Sequence, residues 1–180
     1  IKRCVDSLLA QTFPLEILVL DGGSTDSTLE ILQNYGDSIR VIHNPGKHVA
    51  NARNLAMQHL GGDITHCFEI IGHSWVEPDH LEKRVQDLLD LEETLGRKVG
   101  AIGCLTESAG SESHVSAWIE GALRTPIGSG GGQFKKFVGR HQTKVPAFCL
   151  HNVEALRSVE GWDERFITSQ DSDLSMRLIS

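Results

Sequence analysis

Short apolar runs alternate along this chain with longer amphipathic stretches, and this alternation limits the folds available to it more than any other feature. Residues 16–20, 39–42 and 64–71 are brief apolar runs that include β-branched side chains, which is typical of buried strands. Residues 27–32 and about 49–60 instead place apolar side chains at helical spacing. Strands that alternate with helices predict an α/β layer fold.

Capping and breaking residues mark the ends of several predicted elements. Ser27 and Glu30 have the spacing of a capping box at a helix start. Gly36 falls where a left-handed helix C-cap belongs, and a long helix begins at Pro78 and closes near Gly96. The first helix is predicted to bury Val5, Leu8 and Leu9, and the helix over 49–60 to bury Val49, Ala52, Ala56 and Leu60. Further strands are predicted over 99–105 and 147–150, and further helices over 115–123 and 153–159. Residues 128–132 are predicted to form a flexible connector.

The composition is that of one globular domain. The 180 residues are 39% hydrophobic, and no apolar run approaches the roughly 20 residues that cross a bilayer. A formal net charge of −7 argues against nucleic acid as a partner. An acidic protein that binds a diphosphate usually needs a divalent cation or backbone amides between the two. The four cysteines are scattered and form no C-x-x-C pair, so reduced thiols are favoured over disulfides or zinc.

Both ends of the sequence are predicted to be truncations. The chain opens on Ile1 directly inside a helical pattern and ends inside another one over residues 171–178. A signal peptide or a membrane anchor outside this window is left open.

The first candidate ligand-binding edge follows the strand over 16–20. Ligands of open α/β sheets bind beyond the carboxyl ends of the strands, and this strand is followed by Asp21, Gly22, Gly23 and Ser24. Asp21 can accept from a nucleobase N–H, while the two glycines let the backbone approach a nucleotide. A tight strand-to-helix turn explains the same four residues equally well.

The wider sequence resembles the family-2 inverting glycosyltransferases. Residues 7–28 match the family opening, in which "S-L-x-x-Q-T" precedes "E-I-I-V-V-D-D-G-S-T-D-x-T", and residues 44–54 resemble its "N-x-G-x-x-x-A-R-N" segment. Residues 78–81, 161–166 and 170–174 match three later family motifs in the right order. The resemblance implies a GT-A fold, a Rossmann-like mixed sheet flanked by helices. It covers one domain over 1–180, with about 1–105 as the nucleotide-sugar half and about 106–180 as the acceptor half.

The same resemblance assigns roles in donor binding. Asp21 would read the nucleobase, within a donor site that includes Gly22, Gly23, Ser24 and Gly72, and Arg53 would lie near the diphosphate. The family often has a second Asp where this chain has Gly22. A helix-surface arginine is the alternative reading of Arg53.

The expected metal motif departs from the family pattern. The family carries an Asp-x-Asp that holds Mn²⁺ or Mg²⁺ against the diphosphate. Counting back from Pro78 places Ile71, Gly72 and His73 on this motif, whereas counting forward from Asp63 places Glu69 on its first Asp.

An Asp-Gly-His form of this motif occurs in the family branch that resembles bacterial succinoglycan-type transferases. Residues 125–134 also resemble that branch. His73 and Glu69 are therefore predicted metal ligands, and His151 is a weaker candidate because the family often has a basic residue there. The alternative is a lost metal site in which His73 makes only a polar contact.

The resemblance also assigns the catalytic base. An inverting transfer needs a carboxylate to take the proton of the acceptor hydroxyl. The family motif "E-D-x-x-L-x-x-R" fits residues 170–177 with Asp171 as that base and Gln170 in place of the usual Glu. The alternative is that Asp171 and Asp173 are simply charges at a helix start.

These features predict an inverting glycosyltransferase of polysaccharide biosynthesis. It would move a sugar from a nucleoside diphosphate donor, UDP first among the candidates, to a glycan or lipid-linked acceptor. A cytoplasmic location is expected, with membrane association through segments outside this window as the open alternative. Two other functions stay open: a catalytically silent nucleotide- or glycan-binding module, suggested by Ile71 in the metal motif, and a nucleotidyltransferase.

Overall fold

A computed structural model describes residues 1–106, 114–123, 125, 139–143 and 148–179. In these ranges the elements alternate broadly as the sequence predicts. The helices are α1 (Lys2–Leu9), α2 (Thr28–Gln33), α3 (Val49–Gln58), α4 (His80–Leu95), α5 (His114–Leu123), α6 (Val153–Ser158) and α7 (Gln170–Ile179). The strands are β1 (Leu18–Asp21), β2 (Arg40–His43), β3 (His66–Phe68), β4 (Ala101–Ile102) and β5 (Leu150–Asn152).

The first sheet pairs β1 and β2 in parallel. Leu18 lies opposite Arg40 and Asp21 lies opposite His43, so the carboxyl ends of both strands meet at one edge. The Asn44 N–H donates to the Asp21 carbonyl at 2.7 Å and extends this pairing beyond β2. The loops that follow the two strands therefore leave the sheet side by side.

The second sheet is antiparallel, with β5 between β3 and β4. Cys67 of β3 and Ala101 of β4 both pair with His151 of β5. The Glu69 N–H donates to the Cys149 carbonyl at 3.2 Å, so the chain stays aligned with its neighbour one residue past β3. This hydrogen bond holds the backbone of Glu69, and so the position of its Cα, beside the second sheet.

Two apolar clusters hold the elements together. The first packs α1 against β1 and its neighbours and consists of Cys4, Val5, Leu8, Ile17, Leu32 and Ile39. The second packs α3, α6 and α7 around one aromatic ring and consists of Ala50, Leu156, Trp162 and Leu174. This second cluster brings the residues after β5 onto α3, which carries the candidate diphosphate ligand.

Several sequence expectations about these elements need correction. Ser27 precedes α2, but its side chain makes no capping hydrogen bond, and the Asp26 carboxylate instead accepts from the Thr28 N–H at 3.0 Å. Gly36 has a positive φ of 50° but begins a short 3₁₀ turn rather than capping α2. The predicted end of α4 near Gly96 is confirmed, and Gly96 caps this helix in the left-handed conformation.

The predicted buried faces are only partly correct. Val5 and Leu8 are buried on α1, whereas Leu9 is exposed. On α3 the buried residue is Ala50 and not Val49, because the alanine lets the Trp162 cluster approach the helix closely.

The strands of the second sheet are shorter than predicted, with β5 only three residues long and β4 only two. Helix α5 forms as expected, with Trp118 76% exposed. The predicted connector over 128–132 and the start of the strand over 147–150 lie outside the described residues. No helix that the structure describes is both long enough and apolar enough to cross a bilayer.

Candidate functional site

Asp21 lies at the carboxyl end of β1, as predicted, and is buried. Its carboxylate accepts from the Gly23 N–H at 2.9 Å and from the Ser24 N–H at 3.2 Å. Hydrogen bonds from Ser24, and then from the Gly23 backbone, hold the pKa of Asp21 below its usual value against the opposing effect of burial. The side chain therefore shapes its own turn in this structure.

The loop after β2 forms a second wall beside this turn. A Cβ on Gly22 would lie 3.5 Å from the Lys47 carbonyl, so the two loops run close together. Gly23 has a φ of 93°, which only glycine adopts readily. Asn44 is buried and its Nδ2 donates to the His48 carbonyl at 3.2 Å, which shapes the entry into α3.

Arg53, one turn into α3, joins two carboxylates from distant parts of the sequence. Its Nη1 donates to the Asp171 Oδ1 at 2.6 Å. Its Nη2 donates to the Glu69 Oε1 at 2.9 Å, and its Nε lies 2.5 Å from the Glu69 Oε2. Arg53, Glu69 and Asp171 thus form one ion-pair cluster, and Arg53 is not a free helix-surface arginine.

The guanidinium of Arg53 also lies over an aromatic support. Its Cζ is 5.3 Å from the centre of the Trp162 ring, within the range of a cation–π contact. The His151 ring meets Trp162 edge-on with the two ring centres 5.4 Å apart. Trp162 is almost fully buried, so this support is rigid.

The side chain of Asn54 holds the backbone of Trp162 through two hydrogen bonds. The Asn54 Nδ2 donates to the Trp162 carbonyl at 2.8 Å, and the Trp162 N–H donates to the Asn54 Oδ1 at 2.9 Å. Gly161 precedes this tryptophan with a φ of 73°, and a Cβ there would lie 2.6 Å from the Asn54 Oδ1. The contact between Asn54 and the Trp162 backbone therefore explains both the asparagine after Arg53 and the glycine before Trp162.

Asp171 and Asp173 behave differently although both lie in the first turn of α7. Asp171 reaches Arg53 on another helix, and its side chain keeps 40% of its surface exposed. Asp173 instead accepts from the Arg177 Nε at 2.9 Å within α7. Only Asp171 therefore faces the ion-pair cluster.

Burial dominates the electrostatics of this region. Burial raises the pKa of Glu69 to about 7, with the Arg53 guanidinium opposing this and the Asp171 carboxylate adding to it. Burial, and then the positive charge of Arg53, lowers the pKa of His151 to about 4, so its imidazole is neutral near pH 7. Burial also raises the pKa of the Cys67 thiol to about 12 and raises the pKa of Cys149.

The predicted metal ligands do not form one site. No group of three or more His, Cys, Asp or Glu side chains is placed to hold a metal ion within the residues that the structure describes. Glu69 is bound to Arg53, and His151 is buried in the central strand of its sheet. His73 is exposed on the turn after Ile71. The three predicted ligands therefore form no preformed cation site in the described part of the chain.

Gly72, expected in the donor site, lies against the start of α1. A Cβ on Gly72 would be 3.1 Å from the Ile1 Cδ1. The neighbouring Ile71 carbonyl accepts from the Cys4 Sγ at 3.6 Å and from the Ser74 N–H at 2.9 Å. These contacts attach the expected metal loop to the first helix.

Sequence reasoning missed two residues that build the site, Asn54 and Trp162. Asn54 follows Arg53 directly, and Trp162 lies within the motif over residues 161–166, but neither was predicted to have a role of its own. The contact of the partly buried Asn54 side chain with the Trp162 backbone cannot be recognised from one sequence, because the two residues are 108 positions apart.

Comparison with known proteins gives the following matches. The family model described as glycosyl transferase family 2 matches residues 1–157. The succinoglycan biosynthesis protein ExoA of Rhizobium meliloti (strain 1021) is 26% identical over 183 residues, which cover 99% of this chain and 53% of ExoA. The chondroitin synthase of Pasteurella multocida (strain Pm70) is 26% identical over 182 residues, which cover 99% of this chain and 17% of the synthase. The chain thus spans about half the length of ExoA.

Solved structures of S. aureus TarS share the fold. TarS 1-349 in complex with UDP superposes with a TM-score of 0.68 at 16% identity, covering 99% of this chain and 50% of that one. The complex with UDP-GlcNAc gives a TM-score of 0.65 at 16% identity, covering 97% of this chain and 48% of that one. The likeness confirms the predicted α/β fold of the GT-A class.

Proposed function

The chain belongs to glycosyl transferase family 2, and from this premise we propose that it forms the catalytic core of an inverting sugar transferase. The donor would be a nucleoside diphosphate sugar, most simply a UDP-sugar, and the acceptor a hydroxyl group of a glycan or of a lipid-linked sugar. The observation that supports this most strongly is the meeting of Arg53 with Asp171, which places a cation beside an accessible carboxylate. We assign the reaction to polysaccharide biosynthesis in the cytoplasm, as expected from the sequence.

The two loops beyond β1 and β2 would hold the nucleotide. They lie at the carboxyl edge of a parallel pair, where α/β folds bind ligands, and Gly22 and Gly23 keep this edge open to close approach. The TarS structures contain UDP and UDP-GlcNAc, which makes a UDP-sugar the first donor to test here. Asp21 and Ser24 would face the nucleoside, with Arg53 towards the diphosphate.

Asp171 would act as the general base. Its carboxylate would take the proton of the acceptor hydroxyl while that oxygen attacks the anomeric carbon, and the bond from this carbon to the diphosphate would break on the opposite side. The electron pair of the broken bond leaves with the diphosphate, and the configuration at the anomeric carbon inverts. Arg53 engages only Oδ1 of Asp171, which leaves Oδ2 for the proton.

A divalent cation, Mn²⁺ or Mg²⁺, would supply positive charge to the leaving diphosphate. We propose His73, which is exposed beyond β3, as a ligand of this cation, although the described part of the chain contains no preformed ligand cluster. The proton transfer by Asp171 does not depend on it.

A catalytically silent binding module is the second candidate. It is favoured by Ile71, which cannot ligate a metal where the family has an Asp, and by the exposed Trp118, a side chain suited to a sugar face. Such a module would bind UDP or a glycan without turnover.

Donor turnover separates the two candidates. The full-length protein would be incubated with UDP-GlcNAc, UDP-glucose or UDP-glucuronic acid, with Mn²⁺ or with EDTA, and the released UDP measured. Release of UDP from one donor, abolished in Asp171→Asn, supports the transferase. Binding of UDP by calorimetry without release from any donor would support the silent module. Absence of binding of UDP, GDP and dTDP would overturn the donor site itself.

A further inference from the structure

We propose that Glu69 is a positioning residue that orients Arg53, and through Arg53 the base Asp171, and that it is not a metal ligand. This inference rests on the proposed function, because it takes Asp171 as the base. It replaces the role that the position of Glu69 in the sequence suggests. Glu69 acts on the reaction only through the guanidinium that it holds.

The geometry of the contact carries the proposal. Nη2 of Arg53 donates a hydrogen bond to the Glu69 Oε1 at 2.9 Å, and Nε lies at an ion-pair distance of 2.5 Å from Oε2. A guanidinium is planar, so two contacts along one edge fix the plane and the direction of the third nitrogen. That nitrogen, Nη1, donates to Asp171 at 2.6 Å. The orientation of Glu69 thus determines where Oδ1 of Asp171 is held.

The surroundings make Glu69 the fixed end of this chain of contacts. Its backbone N–H is bonded to the Cys149 carbonyl beside β5. The exposed fraction of the side chain is 24% for Glu69 and 17% for Arg53 but 40% for Asp171. The two less exposed members anchor the cluster, while the more exposed Asp171 can meet an acceptor.

Charge explains why an anchor is needed. A donor diphosphate near Arg53 is an anion that competes with Asp171 for the same N–H donors. Because Glu69 occupies Nε and Nη2, the guanidinium cannot rotate away towards the diphosphate without losing both contacts. A metal ligand would need the same carboxylate oxygens that Arg53 already binds.

The test compares Glu69→Gln with a matched control in the full-length protein. Gln keeps the size of the side chain, but it has only one acceptor oxygen, so its NH2 group would face one of the Arg53 N–H groups that the second Glu69 oxygen now contacts. Glu92→Gln is the control, because Glu92 is also partly buried and ion-paired, to Lys98 at 2.8 Å, away from the site. We expect Glu69→Gln to lower kcat for UDP release at least about 10-fold, because a misplaced base lowers the rate of proton transfer. The donor KM and the affinity for UDP should change less than about threefold.

Two further variants check that Glu69 acts through Arg53. Glu69→Asp keeps the carboxyl group and should recover part of the lost kcat. In Arg53→Lys, which cannot form the paired contact, adding Glu69→Gln should cost little more. Additive losses in the double variant would contradict an action through Arg53.

Two outcomes overturn the role of Glu69. One is a kcat in Glu69→Gln equal to that of the wild type and of Glu92→Gln. The other is loss of the Mn²⁺-dependent part of UDP binding in Glu69→Gln, which would make Glu69 a metal ligand. A wild-type protein that releases no UDP from any donor would instead overturn the proposed function, so the two failures are distinguishable.

Discussion

Arg53 Nη1 and Asp171 Oδ1 lie 2.6 Å apart although the two residues are separated by 118 positions in the sequence. This contact joins α3, which follows the first sheet, to α7, which follows the second. It turns two separate motifs into parts of one site. The neighbouring Asp173 has no such contact with α3, since it pairs with Arg177 in its own helix.

Gly161→Ala is expected to destabilise the protein more than Gly96→Ala. Both glycines have a positive φ, 73° and 62°, so alanine at either position costs about 1 kcal/mol for the strained backbone. Only at Gly161 would the new Cβ meet another group, the Asn54 Oδ1 at 2.6 Å, whereas nothing lies within 4 Å at Gly96.

We therefore expect at least about 1 kcal/mol of additional loss for Gly161→Ala, because the new Cβ would disturb the partly buried hydrogen bonds between Asn54 and Trp162. Urea unfolding of both variants measures the difference. Equal losses would show that Asn54 and Trp162 do not form the contact described.

The pH dependence of stability should reveal two opposing groups. His151 has a pKa lowered to about 4 from 6.5, so the unfolded state binds more protons between these values. Stability from His151 is therefore lost as the pH falls from 6.5 towards 4. Glu69 has a pKa raised from 4.5 to about 7, so the folded state holds the proton longer and stability is lost as the pH rises through this window.

Single variants should separate these two effects. In His151→Phe, which keeps an aromatic ring against Trp162, the remaining Glu69 should make stability fall more steeply as the pH rises from about 4.5 to 7. In Glu69→Gln the remaining His151 should make stability fall more steeply as the pH drops from 6.5 to about 4. Unfolding free energies at half-unit pH steps measure both slopes. Curves parallel to the wild type would contradict the buried, neutral state of His151.

His73→Ala tests the metal proposal. If the exposed imidazole contributes to a cation site at the diphosphate, the variant should lose most of the gain in UDP affinity that Mn²⁺ gives, about 10-fold. Affinity in EDTA should be unchanged, because only the metal contact is removed. His59→Ala is the control, since His59 follows α3 and is also exposed. Equal wild-type affinity for UDP in Mn²⁺ and in EDTA would contradict a metal at this site.

The sequence predicted the elements better than the contacts between them. Strand β1, strand β2 and the end of α4 near Gly96 follow from local residue types, and the structure has all three. Ser27 fails as a cap because Asp26 takes over that role, which depends on the path of the preceding turn. The lengths of β3 and β4 depend on how far each strand pairs with β5, which the residue types of a single strand do not determine.

The candidate site shows the same division. Asp21 could be selected from its place after a strand, and Arg53 and Asp171 from the resemblance to the family motifs; the structure brings Arg53 and Asp171 together. The pairing of Glu69 with Arg53 could not be foreseen, because the count along the sequence placed Glu69 on a metal motif. Whether Glu69 contacts Arg53 or a metal ion depends on how the elements around the two sheets pack together. This packing cannot be read from a single sequence.

The most direct test of the account is the turnover of Asp171→Asn beside Asp173→Asn in the full-length protein. Asn keeps the shape of the side chain but cannot take the acceptor proton, so release of UDP should fall at least about 10²-fold with UDP affinity nearly unchanged. Asp173→Asn, which loses only a contact within α7, should keep its turnover within about threefold of the wild type. Comparable stability losses in the two variants, with transfer intact in both, would contradict Asp171 as the base and leave it a charge at a helix start.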